Sequence, residues 1–159
     1  MKFSIKHRVT KENIVTVEYE KGENQWFIAI NAAIKASANL SYADLSSADL
    51  RYANLHYADL SYADLSYADL RYADLRYADL RYADLRYADL RCADLDFSSG
   101  LSFRCGSFNI KADLRLAAQL AYHFCRIDFG GCDEAKAAQE ALKELGNKFH
   151  RLEECGKLK

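Results

Sequence analysis

Proline is absent from the 159 residues, and only seven glycines, one tryptophan and one methionine occur. A chain without proline interrupts no backbone ladder, so extended segments can pair without a gap. No run of 18 apolar residues exists, which removes a membrane-spanning helix from consideration. The opening Met1-Lys2-Phe3-Ser4-Ile5-Lys6 lacks the apolar stretch of a secretory signal. Five cysteines, an odd number without paired spacing, argue against a disulfide framework and for a reduced, cytoplasmic setting. Charge of either sign is not in excess, since the net value is −1. There is no glycine-rich phosphate loop, nucleophile elbow or HExxH motif. Aspartates are many, but they recur regularly instead of clustering in contrasting surroundings, so catalysis is not expected.

What is present is a period of five. From Ala38 to Phe97 the chain reads Ala-Asp/Asn-Leu-x-x twelve times without a break. The leucines are Leu40, Leu45, Leu50, Leu55, Leu60, Leu65, Leu70, Leu75, Leu80, Leu85, Leu90 and Leu95, each with alanine two positions earlier. On an α-helix five residues advance about 500°, so successive leucines would diverge by about 140° and share no face. On a flat strand an odd period sends them alternately to opposite sides. A chain that bends by a quarter turn in every pentad satisfies both constraints. Four pentads then close a coil of 20 residues, every leucine points inward, and alanine fills the gaps between. Sixty residues give three coils, and stacking at about 4.8 Å makes them about 14 Å tall.

These pentads resemble the pentapeptide-repeat family. The resemblance implies a mainly β solenoid, a right-handed quadrilateral β-helix of about three coils, with repeats contacting only their neighbours. Two flanking stretches, Ala118-Gln119-Leu120-Ala121-Tyr122-His123-Phe124-Cys125 and Phe149-His150-Arg151-Leu152-Glu153-Glu154-Cys155-Gly156, resemble the C-terminal part of small pentapeptide-repeat proteins of phage and prophage. That similarity carries no activity with it.

Residues 20 apart stack vertically, so outward positions form columns. The residue after leucine changes from mostly serine to Arg71, Arg76, Arg81, Arg86 and Arg91, and the last position of a repeat is tyrosine nine times. Columns such as Tyr42/Tyr62/Tyr82, Tyr52/Tyr72 and Tyr57/Tyr77/Phe97 follow, and Asp–Arg pairs two residues apart, such as Asp74 and Arg76, can offset each other. Tyr62, Tyr67, Tyr72 and Tyr77 with Arg71, Arg76, Arg81 and Arg86 form the candidate interaction surface, since Tyr and Arg favour binding hot spots. The near-identity of the repeats reflects recent duplication or deliberate consensus engineering.

The flanks read as caps for the two open ends of the stack. Residues 1–37 predict a β-hairpin (Phe3, Ile5 and Val9 against Val15, Val17 and Tyr19, turning at Lys11-Glu12-Asn13) and a short helix over Gln25–Ser37. Residues 98–159 predict a loop and an antiparallel helical hairpin. Its first helix covers 111–128; its second starts at Asp133, carries Ala135, Ala138, Leu142, Leu145, Phe149 and Leu152 inward, and stops at Gly156. The whole forms one compact unit. Cys105, His123, Cys125, His150 and Cys155 form the most suggestive cluster of metal ligands, without a C-x-x-C pair and with His123 and Cys125 diverging by about 200° on a helix. Small core cysteines are the simpler reading, and no cofactor is expected.

Function is therefore expected to be non-catalytic: a scaffold or protein-binding module. The alternative is a DNA mimic that inhibits a type II topoisomerase such as gyrase. Residues 38–97 hold eleven Asp against six Arg, whereas duplex DNA of about 14 Å carries about eight charges. The same negative balance opposes direct nucleic-acid binding.

Overall fold

The computed structural model describes residues 1–100, 114–125 and 133–148. The chain divides into two compact units, Met1–Lys111 and Ala112–Lys159, where the sequence reading expects one.

The first unit opens with strands β1 (Lys2–His7) and β2 (Asn13–Glu18), paired antiparallel with Phe3 opposite Val17 and Ile5 opposite Val15. Those alternating apolar residues share one face, and Ile5 is fully buried. The turn differs from expectation. Asn13 belongs to β2, a bulge separates Ile5 from Lys6, and Val9 is an exposed turn residue. His7 causes this local shape: its Nδ1 accepts the backbone N–H groups of Val9 and Thr10 at 3.3 and 3.1 Å. Those donors thus stay in the turn instead of extending β1.

Helix α1 spans Gln25–Lys35. Asn24 caps it, its Oδ1 accepting from the N–H groups of Trp26 and Phe27 at 3.0 and 3.2 Å. The helix stops two residues before the expected Ser37. Ser37 instead adopts a left-handed φ of 52°, and Ala38 N donates to Ala33 O at 2.9 Å while Ser37 N donates to Ile34 O at 3.0 Å. This pair of backward bonds terminates a helix around a left-handed residue and delivers the chain into the first pentad. Ala29, Ile30 and Ala33 form the buried face of α1, and Trp26 meets Phe3 edge-on at 4.6 Å.

From Leu40 onward the chain is a β-helix solenoid. Parallel bridges link each residue of the Asp/Asn position to its counterpart 20 residues later, from Asp44–Asp64 to Asp79–Ser99. Between coils the repeating bonds are of the kind Leu45 N to Asp64 O and Asp64 N to Ala43 O, both 2.8 Å. At the corner between one repeat and the next, Ala48 N donates to Leu45 O at 3.1 Å and closes a four-residue turn. All twelve leucines are at most 2 % exposed, and the alanines from Ala43 to Ala93 at most 7 %; Ala38, at the entrance, is only half-buried. Each buried leucine removes apolar surface worth about 2 kcal/mol before chain entropy is counted.

The N-terminal end of the stack is closed inside this unit. Strand β3 (Ala43–Asp44) of the first coil pairs antiparallel with β1, Lys6 opposite Asp44, and Arg8 N donates to Tyr42 O at 2.7 Å. On the next side Asn24 Nδ2 donates to Asp49 O at 3.3 Å. Backbone groups at the coil edge thus find partners in the hairpin and the helix cap.

The second unit contains α2 (Leu114–Phe124) and α3 (Asp133–Gly146), packed on each other. Leu116, Ala118, Ala121 and Tyr122 are buried, but Leu114 is 61 % exposed and Ala138 is exposed, contrary to the expected inward faces. Helix α3 ends at Gly146, ahead of the Gly156 stop expected from the sequence. Glycine is a poor helix former, and after it Lys148 N already bonds to Leu145 O, three residues back. Phe149, Leu152 and Gly156 lie outside the described residues.

Candidate interaction surface

The outward face of each pentad is built by its aspartate. Asp74 Oδ1 accepts the N–H of Arg76 at 3.1 Å, and the same bond to the residue two ahead recurs around the solenoid. Such a side chain holds the backbone in a turn. Asparagine does it equally well: Asn39 accepts from Ser41 N at 2.8 Å and Asn54 from His56 N at 3.1 Å.

The residue after leucine completes the aspartate's bonding. Where it is serine, as at Ser61 and Ser66, the hydroxyl donates to Oδ1 at 2.6 Å. Where it is arginine, the guanidinium forms a two-pronged fork: Arg76 Nε lies 2.9 Å from Asp74 Oδ1 and Nη2 2.6 Å from Oδ2. Arg71, Arg81 and Arg86 make the same fork with Asp69, Asp79 and Asp84. Arginines also reach the next coil, as Arg51 Nε to Asp69 Oδ2 and Arg71 Nε to Asp89 Oδ2, both 3.8 Å. One side of the solenoid is therefore a zipper of alternating sign running Asp49, Arg51, Asp69, Arg71, Asp89, Arg91. The hydrogen-bonded guanidiniums hold Asp49, Asp69, Asp74 and Asp84 below the ordinary carboxylate range. For Asp79 the bond from Arg81, assisted by Ser99, lowers the value to about 2.

The corners carry the rings. Tyr42, Ser47, Tyr52, Tyr57 and every fifth residue to Phe97 have φ between 55° and 62°. This left-handed region costs an L-residue about 1–2 kcal/mol, and turns that need it ordinarily use glycine or asparagine. The columns above and below supply compensation. Tyr42–Tyr62 centroids are 4.7 Å apart with planes 1° from parallel, and Tyr52–Tyr72 are 4.9 Å and 6°. Tyr67–Tyr87 and Tyr62–Tyr82 stand at 4.7 Å, and Tyr57–Tyr77–Phe97 step at 4.8 Å. Nothing in the pentad pattern signals two further members. His7 of β1 extends the Tyr42 column at 5.2 Å, and His56 stacks on Tyr57 at 4.2 Å.

Tyr62, Tyr67, Tyr72 and Tyr77 are 39–62 % exposed. Tyr72 and Tyr77 each follow an arginine fixed by a carboxylate, whereas Tyr62 and Tyr67 follow Ser61 and Ser66 and stack on Tyr82 and Tyr87, which follow the fixed Arg81 and Arg86 of the next coil. Tyr72 differs at its far end, where Cys92 replaces the third ring and a hydrogen bond with that thiol raises the phenol's pKa.

Of the candidate metal ligands, Cys105, His150 and Cys155 lie outside the described residues, and for His123 only its place on α2 is described. The Cys125 thiol donates to Gln139 O at 3.3 Å, and burial pushes its pKa up. Among the described residues no group of three or more His, Cys, Asp or Glu side chains could hold a metal ion. No helix of the described residues is long and apolar enough to cross a membrane.

Comparison with known proteins agrees with the repeat geometry. The family model for pentapeptide repeats (8 copies) matches residues 36–66 and again 63–96. A search of functionally curated proteins finds no match. Among solved structures, HetL, a pentapeptide repeat protein involved in heterocyst differentiation regulation from the cyanobacterium Nostoc sp. strain PCC 7120, is 37 % identical, with 46 % of this chain and 35 % of that chain covered at a TM-score of 0.21. Rfr23, a pentapeptide repeat protein from the cyanobacterium Cyanothece 51142, is 26 % identical over 45 % of this chain and 54 % of that one, with a TM-score of 0.20. The chain thus spans only about a third and about half of their lengths. Residues 36–96 of this chain are thus pentapeptide repeats by the family model they match.

Proposed function

We propose that the protein is a non-catalytic protein-interaction module, a right-handed quadrilateral β-helix that works in a reducing, cytoplasmic setting. The observation that carries this reading is the fixed geometry of its surface: Tyr62, Tyr67, Tyr72 and Tyr77 held in stacks beside Arg71, Arg76, Arg81 and Arg86 held in carboxylate forks. Binding normally costs the rotamer freedom of interface side chains. Here most of that freedom is already spent on folding, and Tyr and Arg are the residue types that dominate interface energetics. The near-identical pentads fit either a phage-derived or a consensus-engineered solenoid.

The test uses matched baits. The native chain and a variant with Tyr62, Tyr67, Tyr72 and Tyr77 replaced by Ser are compared for partner capture from a bacterial lysate, after both are shown to fold. A partner retained by the native chain and lost by the variant, then bound again as a purified protein, supports the reading. Partners retained equally by both baits remove it.

The DNA-mimic alternative predicts inhibition of gyrase supercoiling at micromolar protein. Against it stand the forks, because five of the aspartates that would imitate phosphates, Asp69, Asp74, Asp79, Asp84 and Asp89, are each neutralised by an arginine at 2.6 Å.

A further inference from the structure

We infer that the tyrosine columns are sites of intramolecular oxidative coupling, with Tyr67 and Tyr87 the leading pair. Their ring centroids are 4.7 Å apart with planes 18° from parallel, and the rings are 62 % and 47 % exposed. The backbone fixes the spacing directly: Tyr67 N donates to Arg86 O at 2.9 Å, one residue from its stacking partner. Both corners share the left-handed φ, at 59° and 62°, so the two side chains leave the coils in the same direction.

The chemistry is a two-electron oxidation that needs a one-electron oxidant, such as a peroxidase with hydrogen peroxide. Each phenol gives one electron to the oxidant and its hydroxyl proton to water. The two phenoxyl radicals form one carbon–carbon bond between ring positions ortho to oxygen. The hydrogen on each joined carbon then moves to its own phenolic oxygen, restoring both aromatic rings. Overall the pair loses two hydrogen atoms, and two equivalents of oxidant are reduced. Phenoxyl radicals on freely diffusing chains couple between molecules. Radicals on adjacent coils are already in contact, and intramolecular proximity raises effective concentration by orders of magnitude.

The product is a staple that closes a loop of twenty residues between neighbouring coils and resists thiol reductants. Like other cross-links it restricts the unfolded chain, so the oxidised protein melts at a higher temperature than the untreated one.

The test uses the full chain with Tyr67 and Tyr87 kept and the other column tyrosines replaced by Phe, which preserves the ring stacks. After brief oxidation the expected result is a monomer lighter by two hydrogens, with dityrosine fluorescence and a yield unchanged on tenfold dilution. Adding Tyr67→Phe abolishes that product. The native chain, measured in parallel in case the substituted one folds poorly, loses hydrogens in pairs while remaining monomeric, and loses this behaviour in denaturant. Covalent dimers alone, a bridged monomer that persists after Tyr67→Phe, or the absence of dityrosine from the folded native chain would overturn the inference.

Discussion

Arg81 grips Asp79 with two bonds, Nη2 to Oδ2 at 2.6 Å and Nε to Oδ1 at 2.9 Å, while Ser99 from the next coil donates to the same carboxylate at 3.2 Å. The pentad's acidic position is thus a turn-former, an ion-pair partner and a tie between coils at once.

Acid should loosen this arrangement. Asp79 titrates near 2 in the folded chain against an ordinary 3.8, so folding favours its charged form. The stabilisation is complete above about pH 4 and is lost as pH falls through 4 toward 2. Asp49, Asp69, Asp74 and Asp84 shift in the same direction. Thermal melts should therefore be flat from pH 7 to 5 and drop steeply below 4. The forks are solvent-accessible, so high salt should blunt the effect. A melting temperature that rises on acidification would contradict this assignment.

Asparagine already replaces aspartate at Asn39 and Asn54 and keeps the bond to the backbone two residues ahead. Asp74→Asn keeps that bond and loses only the charge of the Arg76 fork, so it should cost less than Asp74→Ala, which also leaves the Arg76 N–H without its turn partner and should lose about 1 kcal/mol more. Urea titration of both variants measures the difference, and equal losses would refute a turn-forming role.

Leu65 sits in the middle coil with no exposed surface. Leu65→Ala should destabilise by roughly 2–5 kcal/mol, since coils pinned by backbone bonds above and below cannot collapse into the cavity. A loss below about 1 kcal/mol in chemical denaturation would place that side chain outside the core.

Ser47 occupies the corner above Tyr67 and has the same left-handed backbone, with φ 56°, but no ring. Ser47→Tyr should extend the Tyr67–Tyr87 column and stabilise by about 0.5–1 kcal/mol. An unchanged or lowered melting temperature would mean that stacking does not offset corner strain.

Gly100 ends the last described turn at φ 86°, and a Cβ there would lie 2.3 Å from Arg81 N and 2.7 Å from Leu80 C. Those atoms are backbone of the preceding coil and cannot step aside. Gly100→Ala should cost more than about 2 kcal/mol, from left-handed strain and steric clash together. A neutral substitution would show that the chain leaves the stack before residue 100.

The period of five is a statement about which side chains converge, so the solenoid was legible from Leu40 to Leu95 without any long-range information. The stacking partners 20 residues apart follow from the same arithmetic. The left-handed corners were not legible, because tyrosine has no preference for that conformation and only the closed coil imposes it. His7 beside Tyr42 was hidden for another reason: their contact joins a hairpin to a coil and belongs to no repeat. Gly146, a weak helix former inside the expected second C-terminal helix, was a readable signal for an end that the hydrophobic spacing alone misplaced, whereas Asn24 caps α1 at the start that spacing had already placed.

The stack itself is tested most directly by nuclear Overhauser contacts in solution. The account predicts contacts between residues 20 apart, including Leu45 amide to Asp64, and the Tyr67 ring to the Tyr87 ring. Sequential contacts at three and four residues through 38–97, with none at twenty, would contradict it.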